Sequence, residues 1–539
     1  MAQVLRDPPR LRDVTLTDCV IEGPLNLDGV HFAAGAEFQG VVFEGPASFA
    51  DAFFEQGAGF TEATFERGAK FDRARFDEEA LFQRITVGHQ GATFRSAEFR
   101  SLAYFGNSIF EGAVNFTGAV FAVGGSFGQT RFGSDAYFDG ATGTTMDFAR
   151  ARFQGDVANF NEFRAERLRL TRAVFAAQVE ARLHVDVIVL TGAAFSAGAS
   201  IRCAEREEGR TPSLGLERAR FGASSFVAGA GATRPLLESM RYADASNLTL
   251  ADITLASCQF HGAHNLDQLR LEGSAAFVES PADWRVELPW PWAQHWTPRR
   301  VLAEEVAWRV RQPARPGKWH RIVLRWPERF PLRWPSWQYT RDPAKRMRWP
   351  DWGAPGKEPE DPLTPDEIGT IYRALRKGRE DHKDEPGAAD FYYGEMEMRR
   401  WGSRSRNESL LDRLVLWLYW VTSGYALRAS RAFVTLIVVI VVFAALFELV
   451  GFASQAIAPR AIGVTNGRIV YEDTTFPERP PINQAFRALT YSAATATAVA
   501  GAPPRRLTAI GEGLRIVLRV LGPLLLALTA VSIRGRIKR

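Results

Sequence analysis

Two arginines, Arg515 and Arg519, stand one helical turn apart inside a long apolar stretch near the C-terminus. They share a helical face with Pro523 and Leu526. An arginine at membrane depth is costly unless paired or wet. A ring of arginines at a constriction would repel cations and suit anions. The structural alternative places Arg515 at the outer interface and has Arg519 bonding to the carbonyls of a neighbouring helix. Elsewhere, Glu395 and Glu397 have acid–base chemistry to offer, but no nucleophile, pocket or metal-ligand set accompanies them, so they read as surface ion pairs. The three cysteines, Cys19, Cys203 and Cys258, match no metal spacing and imply no disulfide framework, which points to a reducing compartment. No phosphate-binding loop or metal cluster is visible. The expectation is a chain that is not an enzyme and needs no cofactor.

The elements that must hold the arginine pair are membrane helices. Residues 433–452, FVTLIVVIVVFAALFELVGF, are apolar except for Thr435 and Glu448. At ~1.5 Å per residue such a run spans ~30 Å, one bilayer core. The last apolar run, 516–533, is followed by Arg534, Arg536, Lys538 and Arg539, while Arg428 and Arg431 precede the first. Basic flanks favour the cytosolic side. Two spans place both flanks there, with 453 to about 505 outside. The N-terminus lacks an apolar core and reads as no signal peptide, which agrees with cytosolic termini. Residues 410–427 are apolar but short, with Asp412 and Arg413 near the start. They suit a helix lying on the membrane better than one crossing it.

The front of the chain is periodic. Phe recurs at 32, 38, 43, 49, 54, 60, 65, 71, 76 and 82, then at 94, 99, 105, 110, 116, 121, 127, 132 and 138. The steps alternate six and five. A small residue sits two positions before most of them, as at Ala36, Ala47, Ala58, Ala69 and Ala80. A period near five fits neither a helix nor a plain alternating strand. It fits a solenoid in which every side buries one Phe and each coil covers the next. The rhythm loosens after about Phe163, where loop insertions are expected, AEREEGRTP among them. A Leu-rich form, 243–273, reads as final coils with a capping turn.

This A-x-F rhythm resembles the pentapeptide-repeat family, in a variant with an extra residue every second repeat. The resemblance implies a right-handed quadrilateral β-helix with the large residue pointing inward. From about residue 30 to the end, the chain resembles bacterial proteins that fuse such repeats to a small channel-like domain, partly through YRALRKGREDHKDEPGAADFYYGEMEMRR. The segment 488–499, ALTYSAATATAV, is similar to the pore helix and filter entry of two-span potassium channels. Thr495, Thr497, Ala498, Val499, Ala500 and Gly501 then fall in the pore-helix end and filter. Gly511 and Gly522 match two inner-helix glycines, the second, with Pro523, being the hinge. The same alignment turns the Arg515 and Arg519 face toward the pore helix and cavity. A potassium filter needs T-V-G-Y-G, and the residues standing there are Ala498, Val499, Ala500, Gly501 and Ala502. The coordinating hydroxyl, the first glycine and the tyrosine are missing, so potassium selectivity does not carry over. Ala500 also resists the positive φ that helps align carbonyls.

Charge and composition divide the chain. Residues 1–272 hold 26 Lys and Arg against 34 Asp and Glu, a net of −8, and the remainder holds 40 against 27, a net of +13. All fourteen Trp lie at Trp284 or later. Residues 281–353 interleave Trp, Pro and Arg, which is compatible with nucleic-acid stacking, a membrane interface or an irregular packed connector. Nucleic acid is not the expected partner. Thr364-Pro365-Asp366-Glu367 reads as a helix start with a capping box, the helix running to about Lys383. The organisation expected is a β-helix over 1–275, a Trp/Pro/Arg-rich connector over 276–362 and cytosolic helices over 363–408. An interfacial helix (409–428) and a two-span domain (429–539) follow. The latter holds a first span at 433–453, a re-entrant pore helix and loop at 482–502 and a second span at 507–533. The function expected is an oligomeric ion channel, most simply a tetramer, in the cell membrane and passing ions that are not potassium-specific. The alternative is a membrane-anchored repeat scaffold without conductance.

Overall fold

The computed structural model describes residues 10–207, 209–273, 275–280, 283–286, 293–296, 299–311, 322–324, 363–403, 409–452, 461–465, 468–471, 481–497 and 507–537. The chain divides into two compact units, Met1–Glu395 and Met396–Arg539.

The first unit is a β-solenoid. Phe32 pairs in parallel with Phe54, and Phe43 with Phe65, so a coil here takes 22 residues and four repeats. Most repeats contribute a strand of only two residues, such as Ala47–Ser48 and Thr64–Phe65. The coil spacing sets the core. Phe43 stacks on Phe65 at 4.6 Å, Phe49 on Phe71 at 4.9 Å and Phe60 on Phe82 at 4.9 Å, with ring planes within 3°. That distance is the ~4.8 Å between hydrogen-bonded strands, so identical side chains stack in register. Neighbouring stacks meet edge to face, as Phe60 does with Phe71 at 5.3 Å and 84°. The repeat Phe residues and the small residues two positions before them are buried. At the corners, charged residues take left-handed backbone, Asp51, Glu62, Arg73 and Arg84 among them. This conformation costs an L-residue ~1–2 kcal/mol, and coil-to-coil ion pairs partly offset it. Arg73 grips Asp51 at 2.7 and 2.6 Å, and Arg84 meets Glu62 at 2.7 Å. The hydrogen bond from Arg73 holds the Asp51 carboxyl below its ordinary range.

Where the Phe rhythm loosens, the strands lengthen. Val157–Arg169 and Gln178–Val189 run 13 and 12 residues and pair from Val157↔Gln178 to Arg169↔Val189. Buried residues recur in steps of two and three at Ala158, Phe160, Phe163, Ala165 and Leu168, and the ladder continues across the corner with a register shift between Phe160 and Phe163. This corrects the expectation of loop insertions throughout this stretch. Residues 205–212, all of AEREEGRTP but its first residue, do separate the strands Ala199–Ala204 and Ser213–Gly215. The last parallel strands are Leu248–Ala251 and Arg270–Glu272.

A solenoid end exposes unpaired backbone and an open core, which needs a cap. Helix α1 (Ala303–Arg311) supplies part of it. Glu304 is buried and its Oε1 accepts the N–H of Phe260. Glu305 accepts from Arg299 at 2.5 Å and Arg309 at 2.7 Å, and from the Tyr372 hydroxyl at 2.5 Å, all buried. Tyr372 belongs to α2 (Pro365–Asp381), whose N-cap Thr364 closes the expected capping box with Glu367. The α2 backbone at Gly378 comes so near Asp267 that a Cβ there would sit 2.9 Å from the Asp267 carbonyl oxygen. Lys377 adds an ion pair to Asp267 at 2.7 Å. Helix α3 (Glu385–Gly402) carries the chain from the first unit into the second. Its Glu395 and Glu397 are buried rather than on the surface. Glu395 meets Arg373 at 2.9 Å and Arg376 at 3.1 Å. Glu397 meets Arg400 at 3.0 Å and accepts the Tyr425 hydroxyl at 3.2 Å.

The second unit continues with α4 (Leu410–Ser423), α5 (Ala429–Leu446), α6 (Pro481–Thr497) and α7 (Ala509–Ile537). A five-residue π-helical turn, Phe447–Gly451, extends α5. Ala429–Gly451 and Ala509–Ile533 are long and apolar enough to cross a membrane. A short antiparallel pairing, Ala461–Thr465 with Arg468–Tyr471, lies between the two in sequence.

Candidate functional site

The site expected from the sequence lies where α5, α6 and α7 meet. Helix α6 packs on both of the others, and α5 on α7. Tyr491 of α6 is its hub. It is buried between Phe447, at 5.1 Å and 82°, and Phe452, at 5.5 Å and 76°. Ala496 and Leu518 complete the cluster. Sequence reasoning missed Tyr491, although its place one helical turn before Thr495 marks the same buried face.

Two close backbone approaches fix the helices against each other. At Gly522 of α7 a Cβ would lie 2.1 Å from the Ala496 carbonyl oxygen, at the end of α6. At Gly511 a Cβ would lie 2.2 Å from the Gly451 carbonyl oxygen, at the end of α5. Only glycine permits either approach. Thr508 ties the second crossing. Its hydroxyl donates to the Val450 carbonyl at 2.7 Å and accepts the Gly511 N–H at 3.0 Å, while its own N–H reaches Gly451 O at 3.0 Å. Gly511 and Gly522, read as inner-helix and hinge glycines, are thus close-packing positions here. Pro523 lies inside a helix that continues to Ile537.

Thr495 is buried and donates to Tyr491 O at 2.8 Å, and Thr497 donates to Ala493 O at 2.9 Å. Both hydroxyls are engaged by their own helix. Ser492 Oγ is buried with no hydrogen-bond partner among the described residues. Ala498, Val499, Ala500 and Gly501, the rest of the expected filter, lie outside the described residues.

The arginines part company. Arg515 forms an ion pair with Glu512 at 2.6 Å, both about half exposed. Arg519 is exposed, as is Pro523, and no ion pair to Arg519 is found among the described residues. The α7 face turned toward α6 carries Leu518 and Gly522 instead. The face shared by Arg519 and Pro523 therefore does not pack on α6, contrary to the sequence alignment. Helical geometry gives the reason, since once Leu518 and Gly522 face inward, their immediate successors must point elsewhere. Glu512, which balances Arg515, had not been singled out, although its i,i+3 spacing is an ion-pair signal. Among the described residues no group of three or more His, Cys, Asp or Glu is placed to hold a metal.

Comparison with known proteins bears on the N-terminal unit. Residues 38–86 and 94–142 match the family described as pentapeptide repeats, nine copies. No curated protein matches the chain. A similar solved structure is that of HetL, a pentapeptide repeat protein involved in heterocyst differentiation regulation from the cyanobacterium Nostoc sp. strain PCC 7120. It is 15% identical, with 50% of this chain and 88% of that chain covered, at a TM-score of 0.17. With 22-residue strand spacing, stacked phenylalanines and the matched repeats, the N-terminal unit holds a β-solenoid of pentapeptide repeats, and the C-terminal helices include two apolar enough to span a membrane.

Proposed function

We propose that the C-terminal unit builds an ion-conducting pore in a membrane, with the repeat solenoid as its sensing or assembly domain. The observation that carries this reading is a short helix packed on two membrane-length helices, seated on α7 by a glycine-tight approach at Gly522, while Gly511 locks the two long helices to each other. A plain anchor needs no such third helix. One protomer encloses no channel, so several copies must close a ring, a tetramer being the simplest. Both basic-flanked ends of the spans lie on the cytosolic side, with the hairpin Ala461–Thr465 and Arg468–Tyr471 opposite. Permeating ions and lipid are the partners, and no cofactor or nucleic acid enters the proposal.

Selectivity follows from the side chains. The segment from Ala498 to Gly501 has no hydroxyl to add to a carbonyl filter, so discrimination between potassium and sodium is weak. Arg519, exposed on the protomer, is free to face a lumen once copies assemble, and there it repels cations. Arg515 contributes less because Glu512 offsets it. The test is planar-bilayer recording of the purified protein in a KCl gradient. The expected reversal potential shows poor cation selectivity or anion preference, and Arg519→Gln moves it toward the potassium side. Strong potassium selectivity over sodium and chloride would refute the selectivity argument. A protein that inserts but passes no current would instead leave a membrane-anchored repeat scaffold, the reading that the channel displaces.

A further inference from the structure

Helix α4 is held by one face and presents the other. Trp420, buried, lies under the Arg400 guanidinium at 4.4 Å and the Arg431 guanidinium at 5.8 Å. Glu397 links Arg400 to the Tyr425 hydroxyl just beyond α4. Gly424 ends the helix in a left-handed cap, and Tyr425 and Ala426 continue the turn with positive φ. The Ala426 N–H returns to the Ser423 hydroxyl at 3.0 Å. These bonds fix the roll of α4 about its own axis.

The face away from Trp420 is apolar and bare. Leu410, Leu411, Leu414, Val415 and Leu418 are 81%, 72%, 49%, 61% and 43% exposed. Positions 411, 414, 415 and 418 form one stripe along the helix. With 14 residues the helix is ~21 Å long, too short for a hydrocarbon core of ~30 Å. It joins α5 through a tight turn, and α5 carries its own exposed stripe of Phe433, Val434, Ile437 and Val441. Charge around the junction is one-sided. From 410 to 447 the only acid is Asp412, against Arg413, Arg428 and Arg431. An amphipathic helix with an apolar stripe and basic flanks binds the headgroup–acyl boundary, and anionic headgroups favour it through the arginines near the surface.

We infer that α4 docks flat on the leaflet at the N-terminal end of α5, its Leu/Val stripe in the lipid and Arg428 and Arg431 against anionic headgroup phosphates. The inference rests on α5 crossing the membrane, not on conductance. Docked in this way, α4 joins the leaflet to α3 through Trp420 and Arg400, so a pull on α3 acts on the start of α5 at the membrane surface.

The test uses the full chain in lipid nanodiscs. In a Cys19→Ser background, nitroxides are attached singly at Leu411→Cys, Leu414→Cys, Val415→Cys and Leu418→Cys. Phe433→Cys, Ile437→Cys and Val441→Cys report on α5. Accessibility to oxygen against a water-soluble nickel chelate gives depth. The expected result is one shallow depth for all four α4 sites, with oxygen access several-fold above a solvent site, and increasing depth along α5. In phosphatidylcholine alone the α4 sites become shallower than in an equal mixture with phosphatidylglycerol, and Arg428→Gln or Arg431→Gln removes that difference without moving the α5 sites. Chelate access at the α4 sites would overturn the inference, as would depth increasing steadily from 411 to 418. Exclusion of both probes would mean that a second copy covers the stripe, and identical depths in the two lipids would refute the headgroup contact. If the α5 sites are themselves chelate-accessible, the span reading has failed, and that result is distinct from all the others.

Discussion

Replacing Glu304 with Gln should abolish a pH dependence in the capping of the solenoid. In the wild type the carboxylate is 2% exposed at the start of α1, with Oε1 accepting the Phe260 N–H and Oε2 lacking a partner among the described residues. Burial pushes it up to about 7 from an ordinary 4.5, with the N–H groups of Phe260 and His261 only partly opposing this. The Cys258 thiol beside it is raised by burial and by the Glu304 charge, so it stays neutral and places no second anion there. An acid whose pKa is raised by docking holds its proton more tightly docked than free. Its contribution is therefore fully present below about 4.5 and is lost as pH climbs through about 7. The rise from 4.5 to about 7 corresponds to roughly 3 kcal/mol in full, most of it falling between pH 5 and 8. Hydrogen exchange of the full chain, read on peptides covering 255–265 and corrected for intrinsic rates, should show protection falling by roughly two orders of magnitude across that window. Glu304→Gln should flatten the profile. Protection that is constant or rising with pH, or a Gln variant that follows the wild-type slope, would refute the reasoning.

Other perturbations test the remaining contacts. Phe65→Asp places an unpaired charge in a fully buried stack, 4.6 Å from Phe43, and should destabilise the solenoid by several kcal/mol, read by thermal unfolding. Arg299→Met strips one cation from buried Glu305 and should cost about 3–5 kcal/mol, and only the triple Arg299→Met/Glu305→Met/Arg309→Met, which leaves no buried charge of this cluster behind, should recover much of it. Burial alone would raise the Glu305 carboxyl, but Arg299 and Arg309 outweigh it and hold it below the ordinary range, so the pair should survive mild acid. Gly522→Leu drives a side chain into the Ala496 carbonyl and should cost about 1–3 kcal/mol or push α7 off α6, measured as lowered thermal stability in detergent and loss of current. Cysteine labelling from outside intact cells should succeed at Asn466→Cys and fail at the C-terminal tail. Labelling of the tail would refute the two-span topology.

Much of the solenoid was legible because its contacts are periodic. A Phe that stacks on the Phe 22 residues later writes its partner into the sequence, and the small residue two positions earlier marks the corner it shares. The same holds for the helix start at Thr364, since a capping box is complete within four residues. The two helices long and apolar enough to cross a membrane were legible from length and composition alone. Glu395 and Glu397 were not, because whether a helix face is solvated depends on what packs on it. Arg373 and Arg376 reach Glu395 from another helix, and Tyr425 reaches Glu397 from beyond α4.

The long strands from Val157 to Val189 make the same point in the solenoid. Each strand extends past the corner because the neighbouring coil extends too, a cooperative choice that no single repeat encodes. In the C-terminal unit the residues announced a short helix between two apolar runs, but the roll of α7 was a tertiary matter. Gly511 against Gly451 and Gly522 against Ala496 set it, and they turn Leu518 inward and leave Arg519 exposed. The sequence by itself determined the repeat, the caps and the apolar lengths, because those follow from local spacing and transfer energy. Tertiary structure decided which face of each element is buried, because that depends on backbones approaching within a few ångströms of each other from distant parts of the chain.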